Sequence, residues 1–431
     1  MMKRAVIAAA IGNFVTWFDF AAYGFLAVVL GQVFFPSDSE MISLLATFAV
    51  FGVAFLMEPV GAFFFGRLGD RIGRKKILAT VILLMSLSTF LVGLLPGYAV
   101  VGIAAPIALV LLRLLQGFAA GGEPGGAATF LVEYAQRDRR ARTVSVWHCS
   151  SYLSNVGASL LVLGLHALLT SEQMLSWGWR VPFLIAAPVG LIGLYLRLKL
   201  SDTPEFEALK ASGNVSESPV REALTVNRRQ VLQVIGCGAF QYTAFYFTFI
   251  YMETYTQSQL GLTGTQASMS TVVCLLAASV MIFVFATISD RVGRKPVLYA
   301  AAVTCAIVTF PVFLLMNTGS LVAVMAGHAL LGITLAMFMS ASGAALVEIF
   351  PTRVRYAGFS IGFNVAGAVF GGSAAYVATL LISMTGSPLS PSILIIATAI
   401  LAVIAVTSMR ETAGRALAAE SRTGAHAAVQ P

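Results

Sequence analysis

The stretch Gly66–Lys76, GRLGDRIGRKK, returns 220 positions later as ATISDRVGRKP at Ala286–Pro296, and each copy lies between two long apolar runs. Asp70, Arg71, Gly73, Arg74 and Lys75 recur as Asp290, Arg291, Gly293, Arg294 and Lys295. A second echo sets LVEYAQRDRRAR at Leu131–Arg142 against LVEIFPTRVR at Leu346–Arg355, an offset of 215. Repeats of this period duplicate a whole helical bundle, and short charged loops between apolar runs place that bundle in a bilayer.

Hydrophobic residues are 58% of the 431 positions and charged residues only 11%, which a soluble domain of this size could not carry on its surface. At ~20 apolar residues per crossing, twelve spans are predicted near 5–30, 41–66, 77–96, 103–134, 143–170, 180–198, 231–256, 267–289, 297–316, 320–346, 359–385 and 392–409. The expected fold is therefore an all-α membrane protein of twelve transmembrane helices in two pseudo-symmetric six-helix halves. Residues 1–198 form the first half, 199–230 a polar linker, 231–409 the second half and 410–431 a polar tail expected to be disordered.

The net charge of +8 is a topology signal and not a nucleic-acid footprint. All Lys and Arg except Arg113 and Arg180 fall in the N-terminus, the loops after even-numbered spans, the linker with Arg197 at its edge, and the tail. The positive-inside rule then puts both termini in the cytoplasm of a multi-pass inner-membrane protein. The first apolar run lacks a small-residue cleavage site and is read as an uncleaved span. Cys149, Cys237, Cys274 and Cys305 lie in apolar runs without ligand spacing, so they are read as packing residues, with no metal and no cofactor expected. No nucleotide loop or catalytic triad spacing is present, which argues against an enzyme and against ATP-driven transport.

Ionisable groups within spans cost ~2.5–3.5 kcal/mol on insertion scales, so each needs a partner, a cavity or a task. Asp19 lies mid-span in span one, where a carboxyl can exchange a proton or pair with a neighbouring helix. Arg113 and Gln116 are three apart on one face of span four. An arginine there can grip a substrate carboxylate by two hydrogen bonds, or sit in an internal ion pair. Glu123, between glycine pairs, is read as a coupling or gating carboxylate in a locally weakened helix, with small-residue packing as the alternative. Glu58 adds a negative charge to span two. Tyr242, Phe245, Tyr246 and Phe249 make an aromatic stripe on span seven, whose hydroxylated rings suit a quaternary amine. Tyr152 and Asn155, with His148, repeat at helical spacing on span five. At the cytoplasmic ends, Asp70, Arg71, Arg74 and Glu133 in one half, and Asp290, Arg291, Arg294 and Glu348 in the other, are expected to form ion-pair gate latches. Topogenic charge is the simpler reading for any single basic residue.

The duplicated loop with twelve spans resembles the major facilitator superfamily. GNFVTWFDFAAYGFLA at Gly12–Ala27, FLMEPVGAFFFGRLGDRIGRKK at Phe55–Lys76, RLLQGFAAGGEPGG at Arg113–Gly126 and WGWRVPF at Trp177–Phe183 are similar to its metabolite:proton symporter family. That family includes osmoprotectant, 2-oxoglutarate, citrate and shikimate carriers. The resemblance implies proton-coupled uptake of a small carboxylate-bearing metabolite, an organic acid or a zwitterionic solute, by alternating access, and ties the Arg113 motif to substrate or proton handling. With the residue readings above, Asp19 and Glu123 are expected in proton coupling and Arg113, Gln116, Glu58, Tyr242, Tyr246, Tyr152 and Asn155 in substrate contacts, in a monomer whose partners are substrate, protons and lipid. Thr16 and Glu58 depart from that pattern, where Glu and Arg are usual. The missing cation favours a mono-anionic or zwitterionic solute such as proline or betaine over a tricarboxylate, with dicarboxylates close behind because the family is broad. An exporter or uniporter, or a transporter-like sensor, are the alternatives.

Overall fold

The computed structural model describes residues 2–72, 74–121, 128–129, 131–132, 135–198, 219–351 and 354–415, with side chains throughout except at 2–9, 11–12, 15–16, 66–72, 74–78, 189, 193, 196–198, 219–220 and 356. Among them there is no strand. Seven helices are long and apolar enough to cross a bilayer unaided, and they correspond to spans two, five and eight to twelve. These run Glu40–Ile72, Arg140–Leu168, Gly264–Val292, Arg294–Met316 and Leu321–Glu348, then the interrupted helix Arg355–Thr385, and Pro391–Ser408.

The remaining spans are harder to recognise for physical reasons. Span one is bent by 69° between Trp17–Phe25 and Ala27–Phe34, and span six by 41° between Ser171–Gly178 and Arg180–Ile192. Spans three and four contribute the shorter apolar helices Ala79–Leu94 and Ala104–Ala120. Span seven starts as Arg228–Tyr246, widens into a π-helical turn at Phe247–Tyr251 and resumes at Met252–Ser258. Its hydroxyls and amides dilute its hydropathy, and its break shortens each helical piece. Span eleven carries an equivalent wide turn at Gly367–Gly371. Such turns are enriched at functional sites.

Large apolar side chains face outward along the spans, including Leu56, Phe63, Leu111, Val280 and Ile307. This is the lipid-facing belt expected of an intramembrane bundle. Where spans cross in the interior, small residues bring backbones together. A Cβ on Gly117 would come within 1.7 Å of the Ala54 carbonyl oxygen, one on Gly61 within 1.8 Å of the Phe118 carbonyl oxygen, and one on Gly121 within 1.9 Å of the Glu58 carbonyl oxygen. Spans two and four are thus packed backbone to backbone within the first half. Between the halves, span five packs on spans eight and ten, and span two on span eleven. Gly52 and Gly372 meet at that second seam.

Candidate functional site

Asp19 is 3% exposed and belongs to a closed polar network in the first half. Thr89 Oγ1 of span three donates to Asp19 Oδ1 (2.7 Å), and Gln116 Nε2 of span four donates to the same oxygen (3.0 Å) and to Thr89 Oγ1 (2.9 Å). Arg113 Nη1 donates to Gln116 Oε1 (2.9 Å) and stands 3.5 Å from Asp19 Oδ2. The arginine is fully buried. Its guanidinium lies 4.4 Å from the Tyr23 ring centroid, 5.1 Å from that of Phe20 and 5.4 Å from that of Phe51.

Asp19, Arg113 and Gln116, assigned to different tasks from the sequence, therefore form one unit. The internal ion pair foreseen as the alternative for Arg113 is present. It is a loose pair: Arg113 Nε, Arg113 Nη2 and Asp19 Oδ2 have no hydrogen-bond partner among the described residues. An arginine with two unspent donors in a water-poor interior can accept a second carboxylate by a fork of hydrogen bonds.

Across the seam, span seven presents Tyr242 and Tyr246, whose rings are parallel with centroids 6.3 Å apart. Tyr246 meets Phe55 edge-on at 5.0 Å, Phe51 at 5.6 Å and Trp17 at 5.9 Å. Gly367 and Gly371, in the wide turn of span eleven, leave the space that these two tyrosine rings fill. Glu58 lies in the same neighbourhood, close enough to interact electrostatically with both tyrosines, and makes no hydrogen bond or ion pair among the described residues. It precedes Pro59, which lies inside the span-two helix and removes an N–H from its ladder. The result is an aromatic cluster with one carboxylate, built from both halves. Phe51 is its common wall with the Arg113 network.

Trp17 was not singled out by the sequence reading, because tryptophan in an apolar run carries no charge signal. Its Nε1 donates to Asn13 Oδ1 (2.8 Å), and Asn13 Nδ2 donates to Ser150 Oγ and Ser151 Oγ (both 2.8 Å). Span five thereby fixes the indole that faces Tyr246. Further along span five, Tyr152 packs on Phe249 (5.0 Å), and its hydroxyl reaches only the Met339 thioether. Asn155 Oδ1 and His148 Nε2 are buried without hydrogen-bond partners among the described residues. Tyr152 thus lies at the seam between spans five and seven, Asn155 Nδ2 donates to the Ser151 carbonyl of its own helix (2.7 Å), and His148 touches Gly343 of span ten.

At one end the halves are joined by a latch. Asp290 accepts from the backbone N–H of Ala141 (3.0 Å) and Arg142 (3.2 Å), so a carboxylate of the second half caps the span-five helix of the first. Arg294 pairs with Asp290 (2.7 Å) and with Glu348 (3.5 Å), and Arg140 with Glu348 (3.4 Å). The sequence suggested side-chain ion pairs alone; helix capping and Arg140 were not foreseen. Arg291 is exposed. Of the tail, residues up to Arg415 are described and are seated on this latch. Thr412 Oγ1 donates to Glu348 Oε2 (2.6 Å), and Arg140 Nη1 donates to the Arg415 carbonyl (3.0 Å). Partial burial pushes the Glu411 carboxyl up, but N–H donation from Ala413, Arg294, Lys295 and Thr412 outweighs it and holds the group below the usual carboxylate range. Glu123 and Glu133 lie outside the described residues, and so do the side chains of Asp70, Arg71 and Arg74.

Comparison with known proteins agrees with this architecture. A D-xylose-proton symporter superimposes with a TM-score of 0.77 at 17% identity, covering 96% of this chain and 100% of that one. The proton:xylose symporter XylE bound to 6-bromo-6-deoxy-D-glucose gives 0.78 at 16% identity, covering 96% and 97%. These similarities concern the fold. In sequence, the chain is 35% identical over 430 residues to the proline/betaine transporter of Salmonella typhimurium, covering 96% of this chain and 85% of that protein. It is 35% identical over the same length, with the same coverage, to the glycine betaine/proline/ectoine/pipecolic acid transporter OusA of Dickeya dadantii. A putative proline/betaine transporter of Staphylococcus aureus is 34% identical over 424 residues, covering 96% and 90%. The model of the Major Facilitator Superfamily matches residues 9–268 and 234–431. Twelve helices in two halves, a duplicated charged loop and transporter relatives along the whole length make this chain a transporter, and a member of the Major Facilitator Superfamily.

Proposed function

We propose that this chain is a proton-coupled symporter of the cytoplasmic membrane that imports a small zwitterion of the betaine or proline kind, with both termini in the cytoplasm. The observation that carries the reading is the adjacency of two unlike sites. An arginine with spare donors, paired loosely to a carboxylate, stands one phenyl ring away from an aromatic cluster holding Glu58. A zwitterion offers a carboxylate to the first and an ammonium to the second. Cation–π contact contributes ~0.5–2 kcal/mol, more where water is excluded. The names of the sequence relatives support the same substrate class.

Coupling follows from electrostatics. While Asp19 is charged, it neutralises Arg113, and a second carboxylate would leave the pocket with a net negative charge. Once Asp19 takes up a proton, Arg113 becomes an uncompensated cation and binds the substrate carboxylate in its place. Proton and substrate then enter together, and the halves can rock around a neutral, occupied centre. Substrate is released on the other side when Asp19 loses its proton and reclaims Arg113.

Binding to purified protein, followed by thermal shift, tests the substrate class. A ligand at a hundred times its dissociation constant stabilises by ~2.7 kcal/mol. Glycine betaine and proline should raise the melting temperature, and tricarboxylates should not. Stabilisation by citrate with none by any zwitterion would overturn this reading.

A further inference from the structure

At the end of the bundle opposite the latch lies a further buried carboxylate that none of the chemistry above uses. Glu253, near the end of span seven, is 1% exposed and forms no ion pair among the described residues. Its Oε1 accepts from Ser268 Oγ of span eight, while Oε2 has no hydrogen-bond partner there. Two more hydroxyls stand beside the carboxyl group, those of Thr271 on span eight and Ser159 on span five. Each also has a backbone acceptor, the Ala267 carbonyl for Thr271 Oγ1 (3.2 Å) and the Ser268 carbonyl for Ser159 Oγ (3.4 Å). Ser268 is thus the one direct hydrogen-bond donor to the carboxyl among the described residues, and a bare carboxylate shut away from water with so few donors is costly.

Among the described residues no Lys or Arg forms an ion pair with Glu253. Toward this end of the packed elements the titratable groups are Tyr251 and Tyr255 on span seven, Tyr152 and His166 on span five, Cys274 on span eight and His328 on span ten. His328 is seated between the Thr248 carbonyl at Nε2 (2.7 Å) and Ser270 Oγ at Nδ1 (2.9 Å), a pattern suited to the neutral ring. Tyr255 donates to the Pro388 carbonyl (2.8 Å) and Tyr152 to Met339. His166 lies against Gly264 at the start of span eight and is the one group here able to become cationic.

Ser159 belongs to the first half and Glu253, Ser268 and Thr271 to the second, so the carboxyl is enclosed only while spans five and eight are together. We infer that Glu253 is a proton-binding switch for this end of the transporter: it carries a proton when the two halves are packed here and gives it up to the same side when they part. This rests on the alternating-access reading, but the proton is not carried across the membrane, so the switch is separate from coupling at Asp19.

Spin labels at Glu172 and Ser320, exposed positions of the two halves at this end, report the separation by pulsed dipolar spectroscopy on a cysteine-free background. The separated population should rise with pH, by up to about tenfold per pH unit for a single linked proton. Glu253→Gln, which keeps a neutral group in place, should hold the packed population at every pH. Glu253→Asp should retain a response with a displaced midpoint, which also guards against a Gln variant that does not fold. A wild-type distance distribution unaffected by pH would overturn the inference. So would a response that survives Glu253→Gln in protein still stabilised by substrate, or one abolished by His166→Gln instead. Loss of coupled uptake in an Asp19 variant would leave these distances unchanged, so failure of the switch and failure of the symport reading are separable.

Discussion

Asp19 and Arg113 were legible in the sequence because a charge in an apolar run is costly. Their partnership was not, because the two residues are 94 positions apart and only the packing of spans one and four joins them. Glu253 escaped notice for the opposite reason: it sits in the polar run METYTQS at the end of a span and reads as an interfacial residue until its burial is seen. At this scale the zwitterion site makes its own demands. Arg113→Lys keeps the charge but loses the planar fork. It should weaken carboxylate binding by roughly tenfold, as about 1.4 kcal/mol would, measured by isothermal titration with glycine betaine. Tyr246→Leu and Glu58→Gln should each reduce betaine affinity by about threefold to thirtyfold, in line with ~0.5–2 kcal/mol of cation–π and charge interaction. Neither should matter for a solute without an ammonium group. Equal losses for both ligand types would mean that these side chains shape the protein without meeting the cation.

The helices show how far periodicity can be trusted. Seven spans announce themselves by length and hydropathy. The bend in span one and the wide turns in spans seven and eleven leave no mark on it. Their positions matter, since Trp17 follows Asn13 on the inner face of span one and Tyr242 and Tyr246 precede the turn of span seven. The seam between spans two and four depends on glycines whose added Cβ would overlap a backbone carbonyl. Gly117→Ala should therefore destabilise the protein by ~1–3 kcal/mol, the usual cost of overpacking, or force the two spans apart. A lowered melting temperature in detergent, with normal behaviour of an alanine at Gly164, where an added Cβ meets open space, checks this. An unchanged melting temperature for Gly117→Ala would show that the contact yields without cost.

For the whole molecule, the duplicated loop proved to be the most informative stretch, since one copy supplies Asp290 to cap a helix of the other half. Asp290→Asn weakens that cap, which contributes ~0.5–2 kcal/mol, and leaves Arg294 paired with Glu348. The expected outcome is a shift toward the state open at the latch end, read by cysteine labelling from that side, with no loss of folding. Acid should act similarly through the tail. The Glu411 carboxyl is held below its ordinary value, so its contribution to docking is complete above that value, near 4.5, and is lost as pH falls through the depressed one. Glu411→Gln should release the tail at neutral pH, measured by hydrogen exchange at Arg294 and Lys295. Uptake itself gives the most direct test of proton coupling at Asp19. In proteoliposomes with an imposed pH gradient, the wild-type protein should concentrate glycine betaine on the alkaline side and lose that accumulation when a protonophore collapses the gradient. Asp19→Asn should fail to concentrate it while still exchanging labelled for unlabelled betaine. Uphill accumulation by Asp19→Asn, or wild-type accumulation indifferent to the protonophore, would contradict proton coupling through this carboxylate.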